Sequence, residues 1–454
     1  MPTERTTETE LADALDARHA WHPFTQMSEY LASPRLHIAR GEGFRLIDTE
    51  GRSYLDGTSS LWTNVHGHRH PELDAALVAQ LGRVAHSTAL GLNHPPAGEL
   101  AARLAALTGG ALPRCFYSDN GSCAVEIALK LSLQYRQLAG EPHRTGIVAM
   151  TNAYHGDTFG TMSIGDSGVF HGRFKPWFFA CDRFPAPDHV EVAGHVVRSD
   201  RGASLAALDK LLTEKGATVS CLVLEPGIQG SGGMRLQPPG FLAAVSGLCR
   251  HHGVHLILDE VFTGFGRTGG MLVSQDEGVV PDILVLAKGL AAGYLPLAAT
   301  LCTEELYDKF LGAVDEWRAL YHGHTFTGNP LACAVALKSL DLLEPLVASG
   351  ELRAKAAFFG ETVRTAFGNH PNVAEIRHRG FAAAIDLKPA PGAKPWTTND
   401  RTGHRVCLEA RRHGAILRPL GDTLPIVPAP GMGRDDLAAL VDAARTALDL
   451  TLRP

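Results

Sequence analysis

Residues 256–270 read LILDEVFTGFGRTGG. An apolar run ends on two carboxylates, Asp259 and Glu260, and a glycine-rich segment carrying one arginine follows. An unbroken apolar run of this length, preceded by the amphipathic stretch GFLAAVSGLCRHHG, predicts a strand covered on both faces. Strands of that kind belong to a mainly parallel sheet flanked by helices. The same texture recurs in GIVAM, CLVLEP, ILVLAKG and PLAATLCT, and the short strand RCFYSD precedes the amphipathic helix GSCAVEIALKLSLQYRQ. Ligands of open α/β sheets lie beyond the carboxyl ends of the strands. The polar residues that end these runs, Asp119, Glu225, Asp259, Lys288 and Thr325, are therefore where chemistry is expected.

Outward from this core the texture changes. Residues 1–20 read as an arm or short helix. Residues 36–57 read as a small meander with TEGR as its hairpin turn. PELDAALVAQLGRVAH and AGELAARLAALTG have helical periodicity. Beyond the long helix GNPLACAVALKSLDLLEPL, helices mix with short strands (GFAAAIDLK, AILRPLG), and KPAPGAKPWTTND is a surface loop. This predicts a smaller α+β domain beside the sheet.

The bulk numbers exclude several classes. The chain has 454 residues, 45% hydrophobic and 20% charged, with a net charge of −6. It offers no basic footprint for nucleic acid or an anionic membrane. The acidic start lacks the basic and apolar regions of a secretory signal, and no apolar run reaches the ~18 residues of a membrane helix. Eight cysteines without a C-x-x-C pair need no disulfides in a chain of this size. A cytoplasmic protein is expected.

Asp259 and Lys288 stand one strand–helix–strand step apart, a spacing that can bring two strand ends to one crevice. A desolvated lysine loses proton affinity and becomes a nucleophilic amine able to form a Schiff base. A buried carboxylate can hold a proton on a heterocyclic nitrogen. Pyridoxal phosphate uses this pairing; a plain ion pair is the other reading. Gly121 and Ser122, opening a helix, could cradle a phosphate, with Thr325 as a further hydroxyl. Tyr154 in NAYHGDT could lie flat over a ring. A competing reading takes His66, His68, His70 and the pair His251–His252 as ligands of a zinc-dependent amidohydrolase. HGHRHP, however, contains Gly67 and precedes a proline, so a turn entering a helix is expected and no metal.

Taken together, DGTSSLWTNVHGHRHPEL, YSDNGSCAVEIALKL, NAYHGDTFGTMS, LEPGIQGSGGM, LILDEVFTGFGRTG, LAKGLAAGYLPLAA and HGHTFTGNPLACAVAL resemble the class III pyridoxal-phosphate aminotransferases. They stand in the family's order across residues 21–345, with a weaker match to the end. WHPFTQM, SSLWTNVHGH, YHGDT and RPLGD are most similar to the branch that aminates 8-amino-7-oxononanoate to 7,8-diaminononanoate in biotin synthesis; an ω-aminotransferase for another amine is the alternative.

The resemblance implies a fold-type I homodimer. Residues 1–63 would form an N-terminal arm and part of a small domain, 64–330 the large cofactor-binding domain, and 331–454 the rest of the small domain. Lys288 would carry the cofactor as a Schiff base and shuttle the proton, Asp259 would hold the pyridinium proton, and Gln229 would sit near the ring hydroxyl. Tyr154 would stack on the ring, Gly121 and Ser122 would bind the phosphate, and Thr325 would reach it from the other subunit. Phe24, Trp62, Asp157 and Gly323 would line the substrate site, and Arg418 would meet a substrate carboxylate. Glu225 would be structural or cover an arginine. Members that use S-adenosylmethionine as donor often read WHPY and SSWW. Phe24 and Leu61–Trp62 depart from that and lean towards lysine as donor. Asn120 and His324 replace a serine and a proline of the family pattern.

Overall fold

The computed structural model describes residues 7–192 and 195–452. Its central sheet has seven strands: β1 (Arg114–Ser118), β2 (Gly146–Met150), β3 (Asp182–Phe184), β4 (Val219–Leu224), β5 (His255–Asp259), β6 (Ile283–Leu286) and β7 (Ala298–Cys302). Their spatial order is β1-β7-β6-β5-β4-β2-β3. β2, β4, β5 and β6 are wholly or largely buried, as their unbroken apolar sequences require. Helix α1 (Gly121–Leu138) covers β6 and β7, and is tied to β7 where Thr300 Oγ1 donates to the Ala124 carbonyl at 2.9 Å. Helix α2 (Phe241–His251) carries the chain from β4 to β5.

One strand departs from the parallel pattern. β7 is antiparallel to both neighbours, β6 and β1. Between β6 and β7 the chain makes only the 3₁₀ turn Lys288–Ala291 and a short loop. A connection without a crossover helix cannot return the chain to the same end of the sheet, so the next strand must run back.

The two ends of the chain meet in a second sheet. Ile38–Glu42, Arg45–Asp48 and Ser53–Asp56 form the meander, and Ala415–Ile416 joins it parallel to Ser53–Asp56. A three-stranded sheet (Val373–Arg379, Ala382–Leu387, Thr423–Ile426) packs with the helix Glu351–Phe367. Helix α3 (Pro330–Ala348) connects this part to the large sheet. A further sheet over 189–199 and 228–236 has no counterpart in the sequence reading. Residues Glu8–His19 are helical, opened by a Thr7–Glu10 capping box. All eight cysteines are free. Among the described residues no helix is long and apolar enough to cross a membrane.

Candidate active site

A cavity of about 710 Å³ opens at the carboxyl ends of the strands. Asp119 follows β1, Tyr154 to Thr158 follow β2, Glu225 follows β4, Asp259 ends β5 and Lys288 follows β6, and all of them line it. β5 and β6 are adjacent and parallel, with Asp259 opposite Val285. The two halves of the expected pair therefore share one crevice.

The two carboxylates of the opening motif do different work. Glu260 is fully buried and accepts from the Val273 N–H (2.7 Å), the Ser274 N–H (2.8 Å), Ser274 Oγ (2.6 Å) and Thr263 Oγ1 (3.0 Å). It pins the chain that leads from β5 to β6. Asp259 accepts from the Val261 N–H at 3.0 Å and from His155 Nδ1 at 2.7 Å, and stays on the cavity wall. Burial alone depresses the basicity of His155, but the hydrogen bond and charge of Asp259 outweigh it and raise the imidazole above its ordinary value. His155 Nε2 is buried and lacks a protein partner among the described residues. His155 is a site residue that the sequence reading passed over, although it sits inside the quoted YHGDT.

Lys288 has φ +47°, a left-handed conformation that a non-glycine residue adopts only under constraint. Its Nζ lies 4.8 Å from the Trp62 ring centre and 5.6 Å from that of Phe262. Desolvation lowers its pKa to about 8, against the opposing pull of Asp259 and Glu225. Glu225 is pushed up to about 7, chiefly by burial. Its oxygens accept from the Gly230 and Tyr154 N–H groups at 3.0 and 3.2 Å, so it braces the β2 loop.

Trp62 reaches Lys288 because the backbone from Ser59 to Trp62 is left-handed, with φ between 48° and 69°. Such residues cost roughly 1–2 kcal/mol each, and the surroundings must hold them. Asp56 does so. It accepts from Ser60 Oγ (2.8 Å), Thr58 Oγ1 (3.0 Å) and His68 Nε2 (3.1 Å). Ser59 Oγ donates to the Val427 carbonyl, and buried Arg267 donates to the carbonyls of Trp62 and Pro428. Thus the arginine of the opening motif serves the backbone.

The turn entering α1 is shaped by close approach. A Cβ on Gly121 would meet the Val261 methyls at 2.8 Å, and one on Gly156 would collide with Ser122. Asn120 caps α1 by accepting from the Cys123 N–H at 3.0 Å. Ser122 Oγ sits 3.0 Å from both Thr158 Oγ1 and Thr161 Oγ1. The tight turn, the helix N-terminus, the unpartnered His155 nitrogen and the desolvated amine together fit an anionic, ring-bearing aldehyde.

Not every expected residue joins the wall. Tyr154 and Asp157 line it and are bonded to each other, Oη to Oδ2 at 2.8 Å. The Tyr154 ring lies nearly parallel to His171, with centres 5.8 Å apart. Gln229 is buried but outside the lining: its Nε2 donates to the Thr151 carbonyl at 2.8 Å, and its Oε1 has no protein partner among the described residues. Phe24 and Arg418 are exposed and stack at 5.9 Å, outside the wall, while the charge of Arg418 reaches the Tyr154 hydroxyl. Gly323 and Thr325 are also exposed and do not reach the cavity of their own chain; Thr325 lies in a turn ahead of α3 and, among the described residues, ends no strand, contrary to expectation. The histidines of HGHRHP take different partners: His66 meets Ser339 Oγ at 3.0 Å and packs edge-on to His70, while His68 meets Asp56. Among the described residues no three His, Cys, Asp or Glu side chains are grouped to hold a metal.

The fold and this lysine–aspartate cavity define an aminotransferase, and the chain belongs to the class-III aminotransferase family, whose model matches residues 27–448. Its similarity extends to particular members. It is 47% identical to the adenosylmethionine-8-amino-7-oxononanoate aminotransferase of Nitratidesulfovibrio vulgaris, over 96% of this chain and 81% of that one. The crystal structure of the enzyme of that name from Methanocaldococcus jannaschii superposes with a TM-score of 0.91 at 38% identity, covering 98% and 99% of the two chains. An amine transaminase from an uncultivated Pseudomonas species, solved in its PLP-bound form, gives 0.89 at 33% identity, covering 95% and 99%.

Proposed function

We propose that this chain transfers an amino group from S-adenosylmethionine to 8-amino-7-oxononanoate, giving 7,8-diaminononanoate in biotin synthesis, with pyridoxal phosphate as cofactor. The observation that carries the chemistry is the desolvated Lys288 beside Asp259 at one pair of strand ends. The choice of substrates rests on the names of the relatives. The lean towards lysine drawn from Phe24 and Leu61–Trp62 is set aside, because relatives 40–47% identical over nearly the whole chain are named for adenosylmethionine.

Bound pyridoxal phosphate supplies an aldehyde that condenses with amines and a conjugated ring that accepts an electron pair. The chain supplies the rest. Desolvation lowers the pKa of Lys288 to about 8, which favours the neutral, nucleophilic amine more than at an exposed lysine. The same Nζ takes the proton from the donor carbon and later returns one to the acceptor carbon. Asp259, held by His155, keeps the proton on the ring nitrogen. Gly121 and Ser122 receive the phosphate. Trp62 and Phe262 keep water from the amine. Thr325, exposed on its own chain, reaches the cavity of a second copy, so the working form is a homodimer.

The deciding assay supplies 8-amino-7-oxononanoate with S-adenosylmethionine, lysine or simple amines in turn. Product with S-adenosylmethionine alone is expected. Product only with lysine overturns the donor, and activity only on other amine–ketone pairs makes the chain an ω-aminotransferase. Arg418, at the mouth, is proposed to clamp the acceptor carboxylate. Arg418→Ala should raise the KM for the oxononanoate roughly tenfold or more with kcat nearly unchanged, since a charged hydrogen bond contributes about 1.5–3 kcal/mol. Initial rates across acceptor concentrations check this, and an unchanged KM removes Arg418 from the site.

A further inference from the structure

Beside the phosphate turn lies a group of titratable side chains that the chemistry above does not use. Lys130 Nζ, on α1, is 3.0 Å from His322 Nδ1. His322 Nε2 is 3.1 Å from His324 Nε2. His324 Nδ1 is 3.2 Å from the Asp119 carboxylate. Asp119 lines the cavity and immediately precedes Asn120, the cap of α1. His322 and His324 flank Gly323 in the loop that carries Thr325. The loop is held locally where the His324 N–H donates to Thr327 Oγ1 at 3.0 Å.

The two ends of this chain of contacts fix its protons. An ammonium only donates, so His322 Nδ1 must accept and its Nε2 must carry the hydrogen. A carboxylate attracts an N–H, so the 3.2 Å contact with Asp119 favours a hydrogen on His324 Nδ1 and leaves its Nε2 to accept. The two assignments agree at the central contact, where the Nε2–H of His322 donates to Nε2 of His324. Both imidazoles are then neutral, and every nitrogen is used. A further proton has no place. On His324 it sets two N–H groups face to face; on His322 it sets an N–H against the Lys130 ammonium.

We propose that Lys130, His322, His324 and Asp119 form a proton-ordered chain of polar contacts, closed by the ion-pair contact of His324 with Asp119, that positions the phosphate turn and the Thr325 loop for the cofactor, and that parts when either imidazole is protonated. The histidines are positioning residues; neither lines the cavity. The charges facing them are Lys130 and Glu126 from α1 and Asp119 from the turn, with the Phe116 ring of β1 packed edge-on against His322. Burial and the neighbouring Lys130 and His324 hold His322 below its ordinary range, against the pull of Glu126, which keeps the chain intact at neutral pH. Protonation of an imidazole is the event that parts the contacts, so the chain should open on the acid side of neutrality.

This inference rests on the cofactor reading above, and the test separates the two. Apo-protein is reloaded with pyridoxal phosphate from pH 5.5 to 8.5, and the dissociation constant is read by equilibrium dialysis for wild type, His322→Phe, His324→Phe and the double variant. At pH 8 each single variant should bind about tenfold more weakly than wild type, and the double variant no more weakly than either. By pH 5.5 the ratio of variant to wild type should approach one, because protonation has already opened the wild-type chain; cofactor titrations common to both cancel in that ratio. A ratio independent of pH, or additive losses in the double variant, overturns the proposal. If the histidine variants do not fold, Lys130→Met on the exposed face of α1 decides. Removing the ammonium should move the wild-type pH step upward by about half a unit or more, and an unmoved step overturns the chain. Absence of cofactor binding by wild type at every pH overturns the cofactor reading and this inference with it; intact binding with a flat ratio overturns the inference alone.

Discussion

Lys288→Ala is expected to lower turnover by roughly 10³–10⁴-fold or more while leaving the fold intact. The size follows from losing two functions at once. Proton transfer by a positioned base contributes roughly 10²–10⁴, and the nucleophilic amine that receives and releases the cofactor is lost as well. Among the described residues no other lysine lines the cavity: the walls around Nζ include Trp62 and Phe262, and the neighbouring strand ends carry carboxylates. Circular dichroism should match wild type, since among the described residues Lys288 makes no buried ion pair whose loss would strand a partner. A small primary amine added to the assay should restore part of the rate by entering the vacated space. Near-normal turnover without added amine would remove Lys288 from the chemistry.

Asp259→Asn carries the second largest effect. An amide cannot hold a positive ring nitrogen as a carboxylate does, and the loss of one preorganised charged partner in a dry site is worth about 3–4 kcal/mol, or roughly 10²–10³ in kcat. The substitution also acts on its neighbour. His155 is raised because the hydrogen bond and charge of Asp259 outweigh burial. With the charge gone, burial prevails and the imidazole falls below its ordinary value. A ¹⁵N-histidine titration of the apo-protein should therefore show His155 losing its proton at lower pH in the variant than in wild type. A kcat within a few-fold of wild type, or an unmoved His155, would detach Asp259 from this role.

The core of this site was legible because desolvated strands advertise themselves. VHLILDEV and ILVLAKG have no polar alternation, so they had to be adjacent and covered, and their terminal polar residues had to face one end of the sheet. Asp259, Lys288, Glu225 and Asp119 follow from that single argument. The direction of β7 did not, because PLAATLCT has the same apolar texture whichever way it runs; only the missing crossover helix distinguishes it. The left-handed turn at Ser59–Trp62 was hidden because its residues are not glycines, and its stability comes from Asp56, Val427 and Arg267, distant in sequence. His155 was within a quoted motif, yet its role depends on a hydrogen bond across 104 residues that no local pattern records. Thr325 was read as part of a site, but its own chain leaves it exposed and off the cavity wall.

Attachment of the cofactor to Lys288 is the most direct consequence of the proposed chemistry. Protein loaded with pyridoxal phosphate, reduced with borohydride, digested and mapped by mass spectrometry should carry one covalent cofactor adduct, on the peptide containing Lys288. An adduct on a different lysine, or none on a protein that retains its fold, would contradict it.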